Sequence, residues 1–425
     1  MLVCTIARRS LAVSRNSAIP LLEHGVVRKI TLVAAVIVIG HALVLLLGFG
    51  QPNGWLIDER GKPRAIEFVG VRAAGELALQ GRPAAAYDWA AHRAQHDLVV
   101  GQSTGIYFPW GYPPNFLLIA VALASLPYLI STLLWIGMTL AGYAWVTARI
   151  TGIRASGLWA AATPAAFVNV SVAHTGFLMA ALWGGGLLAL QKQPVLAGVA
   201  FGLMSFKPQL GLLMPLALAA GRYWRAMAAA MVTIAVSCTM SIVIFGVAPW
   251  IDLLPQLGRV ATVIRTGNID MNMLVTLYGM ARTLGMDDQQ ALTVQVLAAL
   301  FLACFVWRLW RSAASFELKA AGLISASLLA TPYLFVYDLT LLTILAAFLW
   351  RDAGAAGFAK FEWAILGAAT VSLMLLASVP LPVGFAANAL FGVVTLSRAM
   401  PFLALPAPGR TRLGVIQARF RATFR

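Results

Sequence analysis

The sequence predicts an all-α, polytopic integral membrane protein with about 12 transmembrane helices and a large first outer loop. Three observations predict it. Of the 425 residues, 60% are hydrophobic and 11% are charged, against roughly 25% charged in soluble domains. The mean hydropathy is +0.83, too apolar for a water-soluble fold to hide. The net charge of +16 gathers at the ends of apolar stretches, which is how cytoplasmic loops fix topology. Topology therefore accounts for the basic character better than nucleic-acid binding does, and no nucleic-acid partner is expected.

The elements follow in order. Residues 1–28 read as a cytoplasmic basic tail, carrying Arg8, Arg9, Arg15 and Arg28 around a weakly apolar stretch that lacks the core and cleavage site of a signal peptide. Residues 29–404 form the transmembrane domain, and 29–49 is the first span. The first outer loop, 51–113, holds Asp58, Glu59, Glu67, Glu76, Asp88 and Asp97, six of the fifteen acidic residues. Its segments 66–80 and 86–98 read as short interfacial helices. Segment 115–126, bounded by Pro114 and Pro127, is too short to span and dips into the outer leaflet, so that span 128–148 delivers Arg149 and Arg154 to the inside.

Four short paired segments come next: 156–171, 176–191, 194–206 and 209–221. Their connections alternate between Lys192, Arg222 and Arg225 on one side and His174 and Lys207 on the other. Span 226–246 leads to a second outer loop at about 247–287. Spans 289–307, 318–331, 339–350, 361–379 and 384–404 follow, with Tyr333, Tyr337 and Asp338 outside. The tail 405–425 is basic and acid-free, so it belongs in the cytoplasm.

This sidedness puts the unusual polar residues on one face. Outside lie the carboxylates of the first loop, the Trp110-Gly111-Tyr112 turn, His174, Lys207, and Tyr333 to Asp338. Ionisable groups at span ends cost free energy unless they serve something. A Lys supplies charge to a phosphate, a carboxylate takes a proton from an acceptor hydroxyl, and aromatics stack on sugars. Each residue also has a structural reading. Lys207 snorkels, His174 satisfies a loop carbonyl, Asp338 caps the helix beginning at Leu339, and Trp110 and Tyr112 sit in an aromatic belt. His41 reads as a packed polar residue, and Gly184-Gly185-Gly186 as a close helix contact. Cys4, Cys238 and Cys304 have neither disulfide nor metal spacing. No Walker A, zincin or dinucleotide motif occurs, and neither metal nor cofactor is expected.

The run Ile66-Glu67-Phe68, then Ala73 through Leu79, Gly81-Arg82-Pro83 and Tyr87-Asp88, resembles the first outer loop of glycosyltransferase family 87. The likeness continues through Tyr112-Pro113-Pro114, the Leu126-Pro127 break, His174-Thr175-Gly176, Phe206 to Leu210, and Tyr333 to Asp338. These are polyprenyl-phosphate-mannose-dependent mannosyltransferase-like proteins of the GT-C superfamily. The resemblance implies a GT-C-like membrane enzyme that takes a hexose, mannose first, from a polyprenyl-phosphate donor. The sugar goes to a lipid or glycan acceptor, with inversion, on the periplasmic or exterior face of a bacterial plasma (inner) membrane. It implies a general base in the first outer loop, Glu67 or else Asp58, where the family has Asp-Phe and this chain has Glu67-Phe68. It implies Lys207 as donor-phosphate ligand, with Tyr112, His174, Tyr333 and Asp338 binding substrate. A transporter or lipid flippase, or an inactive scaffold of the same fold, is the competing expectation. A transporter would set its polar groups nearer the bilayer midplane.

Overall fold

The computed structural model describes residues 24–49, 65–103, 109–266, 271–376 and 382–403. Asp58, Cys4 and most of both expected basic tails lie outside the described residues. Within them the chain is helical, with a single antiparallel bridge, Leu274 to Phe335, and no strand.

Eighteen α-helices are described. The first is α1 (His24–Phe49). From the expected first outer loop come α2 (Ile66–Leu79) and α3 (Trp89–Val100), followed by α4 (Leu117–Ala124) and α5 (Tyr128–Thr151). The short paired segments are α6 (Ser156–Ala161), α7 (Pro164–Val172), α8 (Gly176–Ala189), α9 (Pro194–Leu203) and α10 (Met214–Ala220). Then come α11 (Trp224–Phe245), α12 (Ala248–Arg265), α13 (Leu277–Thr283) and α14 (Asp288–Arg311). The set closes with α15 (Phe316–Ala330), α16 (Thr340–Ala353), α17 (Lys360–Met374) and α18 (Val383–Leu403).

Five of these, α1, α5, α11, α14 and α18, are long and apolar enough to cross a membrane. Against the expected dozen spans, the remaining segments are shorter helices. At ~1.5 Å per residue, 14 or 15 residues cover only two-thirds of a hydrocarbon core of ~30 Å. Proline sets several of the breaks. The expected segment 156–171 is split where Thr163 caps α7, accepting from the Ala166 amide at 3.3 Å, and Pro164 opens the helix. Segment 115–126 is a 3₁₀ turn followed by the eight-residue α4, in keeping with a helix that does not cross. The segment expected as the second outer loop is largely helical: α12 is amphipathic, with Ile251, Leu254 and Leu257 exposed and Gln256 buried.

The core sits around α15 and α16, whose side chains are buried on nearly every side. By contrast α1 and α11 present valine, leucine and isoleucine outward, as helices facing lipid do. Small residues allow close approach. Gly75 on α2 sits against the backbone of Ala120 on α4, Gly184 against Val146 and Ile344, and Gly186 against the ring of Phe201. His41 packs its ring 4.4 Å from that of Phe167.

The two ends of the bundle differ. At one end the loops carrying His174, Lys207 and Asp338 meet the start of α2. At the other, Arg398 clamps Glu362 at 2.7 Å and Asp352 at 3.1 Å, and Arg351 reaches Glu317 at 3.2 Å.

Candidate active site

Four segments far apart in sequence meet at the first end. Glu67 stands in the first turn of α2, behind a left-handed Ala65 (φ 50°) whose amide donates to the Ser171 carbonyl at 3.2 Å. That bond ties the start of α2 to the end of α7. His174 follows a second left-handed alanine, Ala173 (φ 51°), which ends α7. Trp135 Nε1 donates to the Ala173 carbonyl at 3.1 Å. Asn169 is buried; with its amide turned to suit its neighbours, it donates to the His174 carbonyl and accepts from the Gly176 amide, both at 3.1 Å. Gly176 is required here, since a Cβ would strike the Asn169 amide and the Tyr337 carbonyl.

The His174 imidazole is the hub. Its Nδ1 lies 3.1 Å from Thr175 Oγ1 and 3.5 Å from Lys207 Nζ. Its Nε2 lies 3.1 Å from the Tyr112 hydroxyl and 3.7 Å from Glu67 Oε2. An ammonium only donates, so Nδ1 is the acceptor and the proton belongs on Nε2, facing Tyr112 and Glu67. Burial, with Lys207 beside it, holds the His174 pKa well below the usual imidazole range, so the ring is neutral. Tyr337 stacks flat beneath it, with centroids 3.5 Å apart.

Lys207 is 6% exposed and Asp338 2%, and Lys207 Nζ donates to Asp338 Oδ1 at 2.7 Å. Asp338 Oδ2 accepts from the Phe335 amide at 3.4 Å, holding the turn on which it stands. The ammonium also lies 5.0 Å from the Tyr337 ring centroid. Lys207 is thus a paired, buried cation rather than a snorkelling one. Burial pushes the Glu67 carboxyl up to about 7, opposed by the attraction of Lys207 and reinforced by the repulsion of Asp338. The Glu67 side chain is more accessible than those of His174, Lys207 and Asp338, at 18%.

Tyr112 is positioned from both sides. The Tyr87 hydroxyl donates to its carbonyl at 2.9 Å, and Gln256 of α12 donates to the Trp110 carbonyl at 3.0 Å. Its ring packs with Trp110, Phe116 and Phe206.

Five of the expected residues therefore come together: Glu67, Tyr112, His174, Lys207 and Asp338. Tyr333 does not join them. It packs with Ile264, Leu274 and Tyr278, beside Asp288 and Arg265, which pair at 2.9 Å. Asp58 is outside the described residues. Tyr337, Thr175 and Asn169 belong to the cluster and were not singled out as site residues. The ring at 337, adjacent to Asp338, and Thr175, within the His174-Thr175-Gly176 motif, carried a sequence signal; Asn169 carried none. No group of three or more metal-ligating side chains occurs among the described residues.

An all-helical bundle with its acid, imidazole and amine gathered at one end is the build of a polytopic membrane enzyme working at one face of the bilayer. The family model of glycosyltransferase family 87 matches residues 110–332, just over half the chain, and the chain belongs to that family. No curated protein and no solved structure matches it. The matched stretch contains Tyr112, His174 and Lys207, while Glu67 and Asp338 lie on either side of it. The chain is accordingly a membrane glycosyltransferase.

Proposed function

We propose that the chain transfers a hexose, mannose first, from a polyprenyl-phosphate donor to a hydroxyl of a lipid or glycan acceptor, with inversion, at the non-cytoplasmic face. The observation that carries this reading is the neutral His174 ring lying between Glu67 and Lys207. A base and a cation then sit on opposite sides of one buried group, as a single displacement needs. Glu67 removes the proton of the acceptor hydroxyl, and a carboxyl near 7 suits that task at neutral pH. The acceptor oxygen forms its bond to the anomeric carbon as the bond from that carbon to the phosphate oxygen breaks. The polyprenyl phosphate leaves with the electron pair.

Lys207 has three N–H donors. Asp338 takes one and His174 Nδ1 a second, leaving one for an oxygen of the leaving phosphate. Asp338 and Tyr337 fix the ammonium so that its charge is in place before the phosphate arrives. Tyr112, whose hydroxyl burial keeps protonated, sits beside Glu67 as a neutral hydrogen-bonding group for the sugar or the acceptor.

The test is transfer from polyprenyl-phosphate-mannose by the purified protein in lipid. Transfer by the wild type and its loss in Glu67→Gln support the reading. Unchanged turnover in Glu67→Gln removes Glu67 as the base and leaves Asp58, tested by Asp58→Asn. No transfer from any polyprenyl-phosphate hexose overturns the donor assignment.

A further inference from the structure

A cavity of about 300 Å³, lined by none of the clustered site residues, is bounded by α5, α6, α16, α17, α18 and the start of α7. Trp135 of α5 bonds at the level of His174, whereas Thr147 and Thr151 of the same helix line the cavity. Twelve residues of helix from Trp135 to Thr147 place this wall ~18 Å towards the opposite, arginine-rich end, while Leu342 of α16 brings the cavity to within a helical turn of Asp338. We propose that this cavity holds one acyl chain of a membrane phospholipid.

The lining favours an apolar occupant over water. Most of its hydroxyls direct their protons to the protein's own backbone. Thr147 donates to the Tyr143 carbonyl at 2.9 Å, Thr163 to Ala160 at 2.9 Å, Thr370 to Leu366 at 2.9 Å, and Ser156 to Ile153 at 2.8 Å. The Trp159 indole donates to Thr31 at 3.1 Å. A buried water needs two to four polar partners, and these groups offer few. Leu342, Ala346, Leu373 and Phe391 complete an apolar wall. The volume is at the lower end of small-ligand sites, ~300–1,000 Å³, and does not admit a helix ~10 Å across. Among the spanning helices of a membrane protein, the apolar molecule at hand is a lipid chain. The residues that follow Ile153 and Trp350 on the cavity wall are Arg154 and Arg351; Arg351 pairs with Glu317 at 3.2 Å, which leaves Arg154 as the cation beside this wall for an anionic headgroup.

The position gives the occupant a role. α7 starts on the cavity wall at Pro164 and ends at the turn that carries His174. α16 starts just after Asp338 and reaches the cavity at Leu342 through Trp350. A chain in the cavity braces the two helices that position His174 and Asp338, and neither of those side chains lines it.

The experiment uses the full chain in nanodiscs containing a diazirine-bearing phosphatidylglycerol as probe, with labelled residues mapped by mass spectrometry. Saturable labelling of Trp159, Ala346 or Leu373, competed by unlabelled phospholipid and lost at least tenfold in Ala346→Phe, is the expected result. Label confined to the outward faces of α1 and α11 overturns the proposal. So does label at the cavity that polyprenyl phosphate displaces and phospholipid does not, which would make the cavity part of the donor site. Should Ala346→Phe fail to fold, competition on the wild type alone decides. Transfer in the same discs is read separately, so failure of the glycosyltransferase reading leaves this result standing.

Discussion

Lys207 Nζ and Asp338 Oδ1 stand 2.7 Å apart, joined across 131 residues of sequence and both nearly closed to solvent. Neither group can be removed without stranding the other. Lys207→Ala or Asp338→Asn is expected to cost roughly 3–5 kcal/mol of stability, read as a lowered unfolding midpoint. The double variant Lys207→Met with Asp338→Leu recovers much of that stability and still fails to transfer sugar. This separates the pair's role in folding from its role in chemistry.

Glu67 carries the pH dependence. Its carboxyl titrates near 7 in the fold against an ordinary 4.5, so the folded protein binds this proton more tightly than the unfolded chain. Its contribution is fully present below about 4.5 and is lost as pH rises through about 7. The unfolding midpoint is expected to fall across that window, and Glu67→Gln flattens the fall. The transfer rate moves in the opposite direction, rising through about 7 as the base ionises. Glu67→Gln lowers turnover by ~10²- to 10⁴-fold.

His174→Phe retains a ring to stack on Tyr337 while deleting both nitrogen contacts. The protein is expected to fold and to lose transfer. His174→Ala, which also empties the space above Tyr337, loses stability as well. Circular dichroism melts beside a transfer assay distinguish the two.

Gly176→Ala places a methyl against the Asn169 amide and the Tyr337 carbonyl. A loss of ~1–3 kcal/mol is expected, as for overpacked sites, together with reduced transfer, because the same turn sets His174.

Ala173→Gly acts the other way. A left-handed alanine costs ~1–2 kcal/mol, which glycine relieves at a smaller entropic cost. The variant is expected to be more stable by roughly 1 kcal/mol, with the Trp135 bond to residue 173 intact. A lower midpoint would show that the alanine methyl contributes more by packing than its backbone costs.

Much of this was legible in the sequence because bilayer physics writes itself into composition. The apolar runs located α1, α5, α11, α14 and α18 to within a few residues, and the arginines marked the end opposite the site. Proline and short length betrayed α4. The break at Thr163-Pro164 was missed because the apolar run continues across it, although Thr-Pro is a helix-start signal. The second outer loop hid α12, since Pro255 and Gly258 read as loop residues while the buried face of Leu253 and Gln256 makes a helix. Residue types announced His174, Lys207 and Asp338, and the family resemblance singled out Glu67 among the six acids of its loop. Tyr337 under His174, and the separation of Tyr333 from both, depend on the turn at 333–338, whose direction no periodicity encodes.

The first member of the catalytic cluster is residue 67 and the last is residue 338, with His174 and Lys207 between. No shorter stretch of chain holds the set. A growing polypeptide can insert its first helices and expose Glu67, yet it has no fixed cation until the turn before α16 arrives to hold Lys207. On the roles proposed for these residues, a chain that stops short of residue 338 is withheld from catalysis. Sugar transfer then reports that the segments from α2 to the turn before α16 have all reached the membrane.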